Sequence, residues 1–267
     1  MAESENSMHD SLLSLFDLSG KAAVVTGVSR GLGVSFARGL AKAGCDLVIA
    51  ARTLDDLDES ARELRSYGNK VVAVQADVRK PEDADAMIAK TVSEFGKIDI
   101  LVNNAGISAV ADAETMTPDQ WQSVIDTNLT GLFFCAQAAG QRMLAQGSGK
   151  IINIASMYGI GAASYVNQAS YVASKSAVLG LTRELAIEWA PRGLQVIALV
   201  PGFFRSKQTI WAFEDNRELG QKLLAKVPMG RLGKLEELEG TIVYMASSAA
   251  DYMNGQAVIL DGGFLAW

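Results

Sequence analysis

Two kinds of hydrophobic pattern alternate along this chain. Short runs of β-branched apolar residues are typical of buried strands, and apolar positions recurring every three or four residues are typical of amphipathic helices. Strands are predicted at residues 21–26, 46–51, 70–75, 98–102, 150–155, 194–200 and 256–260. Helices are predicted at residues 34–43, 55–67, 81–95, 118–146, 170–190 and 235–247. This alternation predicts an α/β fold, a Rossmann-type doubly wound parallel sheet of about seven strands with helices on both faces.

The pattern predicts a single catalytic domain at residues 18–267, preceded by a leader at residues 1–17. It contains no repeat, low-complexity tract or linker. Residues 203–227 mix aromatic and charged side chains, which favours a mobile lid over a site. The leader has acidic residues before a short apolar run, unlike a signal peptide. Because no apolar stretch approaches the ~18 residues of a membrane span, we expect a cytoplasmic protein that does not bind membranes.

Composition narrows the function. Of the 267 residues, 49% are hydrophobic, which suits a large core. The formal net charge of -6 gives no overall attraction for nucleic acid. The only histidine is His9, so the rest of the chain has no histidine base or ligand. Cys45 and Cys135 lie far apart in apolar contexts and are interpreted as buried thiols, with no disulfide or metal motif.

A glycine-rich turn follows the first predicted strand. Gly27, Gly31 and Gly33 lie between that strand and a helix, which is the context of a dinucleotide-binding turn. There the helix amino terminus meets a pyrophosphate. The stretch from Gly27 to Gly31 also matches the G-x-S-x-G elbow of hydrolases, with Ser29 as nucleophile. That mechanism needs a downstream histidine, and the sequence has none.

The residue after the second strand bears on the choice of dinucleotide. An acidic residue there binds the ribose 2′-hydroxyl of NAD, whereas an arginine accommodates the 2′-phosphate of NADP. This chain has Arg52 at that position and Arg30 in the glycine turn. Two guanidinium groups suit a phosphate. We therefore predict NADP (NADPH) as the preferred cofactor, with NAD as the alternative.

Tyr171 and Lys175 are four residues apart, so on a helix they share one face. A neighbouring ammonium favours the phenolate and lowers a tyrosine pKa, which makes Tyr171 a candidate general acid and base. Ser156 follows the fifth strand, where its hydroxyl can hold a substrate oxygen. Asn128 is a polar residue within an apolar helical stripe, and without further context it would be a buried amide satisfied by backbone.

With these residues in hand, the sequence resembles the short-chain dehydrogenase/reductase family over about residues 18–263. The resemblance is carried by five ordered motifs: Thr26-Gly27-x-x-x-Gly31-x-Gly33, Asn103-Asn-Ala-Gly106, Asn128, Ser156 with Tyr171-x-x-x-Lys175, and Pro201-Gly202. It implies an enzyme that interconverts a ketone and a secondary alcohol by hydride transfer. Tyr171 would be the general acid and base, Ser156 would bind the reacting oxygen, and Asn128 would hold a water leading from Lys175 to solvent.

The resemblance also implies a set of cofactor-binding residues, which surround the dinucleotide from the adenine to the nicotinamide. They are Gly27, Ser29, Arg30, Gly31, Leu32, Gly33, Arg52, Asp77, Val78, Asn104, Ala105, Gly106, Tyr171, Lys175, Pro201, Gly202, Phe204 and Ser206. Lys175 would bind the nicotinamide ribose and lower the pKa of Tyr171. Asn103 would anchor the cofactor region, and Ser206 would offer its hydroxyl to the carboxamide. No metal is expected.

Within the family, the chain is similar to gluconate 5-dehydrogenase-like members, and a 3-oxoacyl-carrier-protein reductase is the alternative. Arg205 and Lys207 suit the carboxylate of a keto sugar acid, whereas the lid aromatics suit a hydrophobic ketone. A non-catalytic dinucleotide sensor is a further alternative.

The family implies a homotetramer, in which Trp267 is predicted to reach a neighbour's site. The loop at 159–170 is longer than usual and is expected to reshape the substrate pocket. Its Tyr165 is interpreted as a loop or interface residue.

Overall fold

The computed structural model describes residues 11–163, 165–206 and 211–266, and the side chain of Trp211 is not described. His9, Lys207 and Trp267 therefore lie outside the described residues. Seven described strands form one parallel sheet in the order β3-β2-β1-β4-β5-β6-β7. They are β1 (Ala22–Thr26), β2 (Asp46–Ala51), β3 (Val71–Gln75), β4 (Ile100–Asn103), β5 (Gly149–Ile154), β6 (Leu194–Pro201) and β7 (Ala257–Leu260).

The six predicted helical stretches are helical in the structure, and the doubly wound fold is confirmed. Among the described residues, two further short helices lie within the stretch at 203–227 that was predicted to be a lid. The helices are α1 (Leu32–Lys42), α2 (Asp55–Arg65), α3 (Pro81–Phe95), α4 (Pro118–Ile125), α5 (Gly131–Gln146), α6 (Ala169–Trp189), α7 (Trp211–Glu214), α8 (Arg217–Leu224) and α9 (Leu235–Ala246). The long helix predicted at 118–146 is divided, because a π-helical segment (Asp126–Thr130) separates α4 from α5. Asn128 lies in this segment, and such bulges are frequent at functional sites.

Local signals explain the helix ends. Pro81 opens α3, where its missing N–H is harmless, and Gly96 closes the helix with a φ of 77°. Thr117 and Gln120 form a reciprocal capping box at the start of α4. These short-range interactions are the reason that the predicted and observed ends of α3 coincide.

The central strands are buried on both faces, as expected of a parallel sheet covered by helices. One core layer packs β-strand residues such as Val25 and Ile49 against Phe36 and Leu40 of α1. The other packs Val24 and Leu101 against the helices of the opposite face. Leu18 is also fully buried, so the domain core begins just before β1.

Strand order reverses between β1 and β4, and ligands of open α/β sheets bind beyond the strand carboxyl ends at such a switch point. Over the residues described, no helix has the length and apolar character needed to span a bilayer. The same residues contain no group of three or more His, Cys, Asp or Glu side chains placed to hold a metal ion.

Candidate active site

A cavity of about 600 Å³ lies at the carboxyl ends of the strands. Residues after β1, β2 and β3 line one end, and residues after β5 and β6 line the other. The volume falls within the range of small-molecule and cofactor sites. The glycine turn and the pair of Tyr171 and Lys175 therefore face one continuous space.

The glycine turn is shaped by close backbone contacts. Gly27 and Gly31 have φ values of 72° and 69°, in the left-handed region that favours glycine. The Asn104 side-chain amide donates to the carbonyl oxygens of Thr26 and Gly27, at 2.9 and 3.1 Å. The Thr26 hydroxyl in turn accepts the backbone N–H groups of Asn104 and Ala105, both at 3.0 Å. The end of β4 thus braces the turn that follows β1.

Gly33, which was predicted with the other two glycines to hold the pyrophosphate, does not line the cavity. A Cβ atom there would lie 2.5 Å from Asn104 Nδ2 and closer still to the carbonyl oxygen of Gly27. Gly33 therefore lets the turn pack onto α1, whereas Gly27 and Gly31 line the cavity. A Cβ at Gly31 would lie 3.5 Å from the Cβ of Ser206, another lining residue.

The amino terminus of α1 suits an anionic group. Its N-cap is Gly31, which has no side chain to bind the first N–H groups of the helix. Its first turn contains no acidic residue. The free N–H groups and the helix dipole favour a phosphate there. Arg30 and Arg52 are exposed side chains that line this end of the cavity. The residues present fit the pyrophosphate and an additional phosphate of a dinucleotide.

Arg79 also lines this end, and the sequence analysis missed it. Its guanidinium binds the Asp77 carboxylate, an ion pair that holds the pKa of Asp77 below its usual range. Asp77 is therefore ionised and already paired on the cavity wall. Its sequence signal was an Arg two residues after an Asp at a strand end, which is weak by itself.

Two asparagines lie behind the wall rather than on it. Asn103 is buried in the core, where its amide donates to the carbonyl oxygen of Leu132 at 3.3 Å and to Asn153 Oδ1 at 3.0 Å. It does not line the cavity, and its predicted role in anchoring the cofactor region stays a prediction. Asn104, Ala105 and Gly106 do line it. Asn103 is the last residue of β4 and is held in the core, whereas the three residues that follow the strand line the cavity.

Asn128 is fully buried and does not line the cavity. Its side chain accepts from the N–H of Ile107 at 2.8 Å, and donates to the carbonyl oxygen of Ile107 at 2.9 Å and to the Ser174 hydroxyl at 3.1 Å. It therefore ties the loop after β4 to α6. Its predicted link from Lys175 to a water remains a prediction, although both side chains approach Gly106.

Ser156, Tyr171 and Lys175 lie together at the other end. Ser156 follows β5 and caps a 3₁₀ turn (Met157–Gly159), where its hydroxyl accepts the Tyr158 N–H at 3.2 Å. Lys175 is buried, and its Nζ donates to the carbonyl oxygen of Ile154 at 2.7 Å. The same Nζ lies 5.7 Å from the centre of the Tyr171 ring. All three residues line the cavity.

The electrostatics differ from the expected lowering of the Tyr171 pKa. Burial raises the pKa of Tyr171, and a hydrogen bond with Ser156 acts in the opposite direction. Burial lowers the pKa of Lys175 to about 8. Both shifts have one cause, since loss of water disfavours a phenolate and an ammonium alike. At neutral pH Tyr171 is therefore a neutral phenol, and Lys175 remains largely protonated.

Gly159 fixes the Ser156 turn against α6. A Cβ atom there would lie 2.6 Å from the carbonyl oxygen of Lys175, so the turn packs directly on the helix backbone. The Ser176 hydroxyl donates to the carbonyl oxygen of Gly159 at 2.9 Å. These contacts set the position of Ser156 relative to Tyr171, and sequence spacing contained no sign of them.

The remaining wall is largely aromatic and aliphatic. Phe203 lies edge-on to Tyr158 and Phe213, with ring centres 6.0 and 5.6 Å apart. Arg205 is exposed, ion-pairs with Glu214 at 2.6 Å and does not line the cavity. Its predicted role with a substrate carboxylate is therefore not supported by its position. Tyr165 is exposed on the loop, as predicted, with Lys226 Nζ 5.0 Å from its ring centre.

The cavity gathers nearly all of the predicted site residues. Those lining it are Gly27, Ser29, Arg30, Gly31, Leu32, Arg52, Asp77, Val78, Asn104, Ala105, Gly106, Ser156, Tyr171, Lys175, Pro201, Gly202, Phe204 and Ser206. Among the lining residues that the sequence analysis missed are Arg79, Ser108, Tyr158 and Gln168. For Tyr158, the sequence signal was its polar hydroxyl and its position two residues after Ser156.

Comparison with known proteins agrees with this geometry. The family model described as short chain dehydrogenase matches residues 21–217. The chain belongs to the short-chain dehydrogenase family. This confirms the resemblance seen in the five motifs, and it makes the protein an oxidoreductase that acts on hydroxyl or carbonyl groups.

Several family members are similar over almost their whole length. The 2-dehydro-3-deoxy-D-gluconate 5-dehydrogenase of Escherichia coli (strain K12) is 42% identical over 256 residues, covering 96% of this chain and 99% of that protein. A 3-oxoacyl-[acyl-carrier-protein] reductase of Staphylococcus aureus (strain Mu50) is 41% identical, covering 91% and 97%. A gluconate 5-dehydrogenase from Burkholderia cenocepacia J2315, solved with NADP and tartrate, has a TM-score of 0.89 and 37% identity, covering 96% and 99%.

Proposed function

We propose that this short-chain dehydrogenase interconverts a ketone and a secondary alcohol with NADP as its cofactor. One observation carries the proposal: Ser156, Tyr171 and Lys175 share a continuous cavity with the glycine turn. A reacting oxygen placed between Ser156 and Tyr171 would lie in the same space as a dinucleotide held by the turn. The non-catalytic alternative does not require this set of polar residues.

The glycine-turn end would hold the cofactor. The N–H groups at the start of α1 would meet the pyrophosphate, and the exposed Arg30 and Arg52 would meet the 2′-phosphate. NADP, when bound, accepts or supplies the hydride. The relative solved with NADP supports this choice of cofactor.

Tyr171 would move the proton. Because its pKa is raised, it is protonated at neutral pH and can donate a proton to the carbonyl oxygen as that oxygen becomes an alkoxide. The carbonyl gains one hydride and one proton, which together make the alcohol. Ser156 would donate a hydrogen bond to the same oxygen, and the Lys175 cation would favour the charge that remains on Tyr171.

The substrate is proposed to be a keto sugar acid or another small carbonyl compound. The names of the similar dehydrogenases support the first class, and the aromatic wall supports the second. The carrier-protein reductase remains an alternative on the similarity to the S. aureus enzyme. A panel of ketones, keto acids and a 3-oxoacyl thioester with both cofactors would separate these classes.

The Tyr171→Phe variant tests the catalytic assignment. It removes the proton donor and keeps the ring, so NADPH-dependent ketone reduction should fall about 10²- to 10⁴-fold. NADPH affinity, measured by fluorescence titration, should stay within about threefold, because the residues proposed to hold the pyrophosphate follow β1, whereas Tyr171 lies on α6. Undiminished turnover in the variant would contradict the assignment.

We also propose that the chain forms a homotetramer. Among the described residues, the edge strand β7 pairs with β6 alone, and its Ile259 is exposed together with Ile187 and Tyr252. Exposed apolar residues at a sheet edge favour association with another copy. Light scattering of the purified chain would give the assembly mass.

A cytoplasmic location and a lid motion of residues 203–227 stay predictions.

A further inference from the structure

The hydroxyl of Tyr158 is buried beside the cavity and has no hydrogen-bond partner among the described residues. The whole residue is 5% exposed and lines the cavity. A buried polar group without a partner costs free energy, because it has lost its water and gained nothing in exchange. Such groups are rare in folded proteins, and one in the wall of a cavity can find its missing partner on a bound ligand.

The position of this hydroxyl is set by the same turn that positions Ser156. The Tyr158 N–H donates to the Ser156 hydroxyl at 3.2 Å, so the two residues form one local unit. The Tyr158 ring lies edge-on to Phe203 and Phe264, with ring centres 6.0 and 6.2 Å apart. Gly159 then packs on the backbone of α6. The phenol is therefore held by both neighbouring rings and backbone, and is not a freely rotating surface group.

The chemistry of the group is that of a neutral donor. Burial raises the pKa of Tyr158, and the nearby Tyr171 raises it further. The phenol stays protonated throughout the physiological range and is suited to donate to an oxygen. Tyr158 and Tyr171 line the same cavity and pack in the same hydrophobic cluster, so an oxygen bound by Tyr158 would lie in the same part of the site as the reacting carbonyl.

The described lining residues offer few cations to a substrate carboxylate. Among the described residues, the Arg and Lys side chains that line the cavity are Arg30, Arg52, Arg79 and Lys175. The three arginines follow β1, β2 and β3, at the glycine-turn end, and Lys175 lies beneath the Tyr171 ring. The other described lining residues include Phe203, which contacts the Tyr158 ring, the apolar Val166, Phe213 and Leu223, and the uncharged Gln168.

We infer that Tyr158 is a specificity-determining residue that donates a hydrogen bond to a second, uncharged oxygen of the substrate, next to the carbonyl that Tyr171 protonates. The inference rests on the proposed function and narrows its substrate class to hydroxyketones and diketones with an otherwise apolar body. A simple ketone would leave the Tyr158 hydroxyl unpaired, so the enzyme should discriminate against it.

Matched substrate pairs test this inference. The panel contains cyclohexanone with 2-hydroxycyclohexanone, butanone with 3-hydroxybutanone, and 5-keto-D-gluconate as a charged hydroxyketone. We expect the wild type to favour the hydroxylated member of each pair in kcat/KM. In Tyr158→Phe that preference should fall about tenfold, with the simple ketones within about twofold of wild type.

The Tyr165→Phe variant is the matched control, because it removes an exposed hydroxyl from the same loop. It should change neither the preference nor the turnover. The thermal midpoint of Tyr158→Phe should be no lower than that of the wild type, since an unpaired hydroxyl is removed. A lower midpoint would indicate a structural hydrogen bond instead.

An unchanged preference in Tyr158→Phe, or a wild type that reduces 5-keto-D-gluconate far better than the neutral hydroxyketones, would overturn the inference. The absence of Tyr171-dependent turnover on every compound would contradict the proposed function itself, and the inference would fall with it. The Tyr171→Phe variant separates these two failures.

Discussion

The two ends of the cavity differ in the groups that line them, which are mainly backbone at one end and buried side chains at the other. At the glycine-turn end, the wall is backbone: Gly27 and Gly31 have left-handed φ values, and Gly33 packs under the turn. The cations there, Arg30 and Arg52, are exposed. At the Ser156 end, the working groups are buried side chains, and burial shifts the pKa values of both Tyr171 and Lys175.

This difference shows why the two ends should respond differently to substitution. A binding turn made of backbone depends on the free space around each glycine. An added methyl group therefore disrupts the turn at a glycine that is closely packed and has little effect at one that is not. Exposed arginines act through charge that solvent screens. Buried hydroxyls act through hydrogen bonds in a low dielectric, where each unpaired group has a large cost.

The largest expected effect at the glycine-turn end is that of Gly33→Ala. The new methyl group would overlap the carbonyl of Gly27 and the Asn104 amide, so the turn must move. Overpacking of this kind costs about 1–3 kcal/mol, and we expect a loss of roughly 100-fold in NADPH affinity by titration. Unfolding in urea should show a matching loss of stability.

Gly240→Ala is the control for that variant. Gly240 lies in α9, and a Cβ atom there would meet nothing within 4 Å. The change should leave NADPH affinity unaltered and raise stability by about 0.5–1 kcal/mol, because alanine favours a helix. If Gly33→Ala behaved like this control, the glycine turn would not be a close-packed cradle.

A smaller effect is expected from Arg52→Asp, which tests the exposed charge. Reversing this charge should weaken NADPH binding by about tenfold to fiftyfold, with NADH binding changed by less than about threefold. Arg62→Asp, an exposed arginine on α2 that does not line the cavity, should have neither effect. Equal weakening of both cofactors by Arg52→Asp would mean that this side chain does not contact the 2′-phosphate.

The smallest effect concerns pH and the buried end. Because the pKa of Tyr171 is raised, alcohol oxidation needs a phenolate that is scarce at neutral pH. Oxidation should therefore rise between pH 7 and pH 8, by about threefold to tenfold, whereas ketone reduction should not rise. Initial rates in both directions would measure this. An oxidation rate that is flat over this interval would show that Tyr171 is not the titrating base.

Much of the fold followed from local patterns. Buried parallel strands are continuous apolar runs, and Pro81 and Gly96 mark the ends of α3, so the order of elements could be predicted from the chain alone. The glycines of the turn after β1 are closely spaced and mark the start of a helix. Tyr171 and Lys175 are four residues apart, so they lie on one face of a helix. This is why these motifs were recognisable.

The contacts that the sequence did not predict share a physical cause, which is packing between segments far apart in sequence. Asn103 and Asn104 are adjacent, but the first points into the core and the second braces the glycine turn. The Asn128 side chain forms hydrogen bonds with the backbone of Ile107 and with the Ser174 hydroxyl. No spacing rule distinguishes such neighbours, because the direction of each side chain depends on what covers the strand end.

The amino-acid sequence alone specified the parallel sheet, the position of the glycine turn and the helical pairing of Tyr171 with Lys175, since each depends on residues within a few positions of one another. Only the tertiary structure decided that burial would raise the Tyr171 pKa, that Gly33 would lie under the turn, and that the Tyr158 hydroxyl would have no partner in the part of the chain that the structure describes. Those properties depend on how much water and which neighbours remain after the distant segments have packed together.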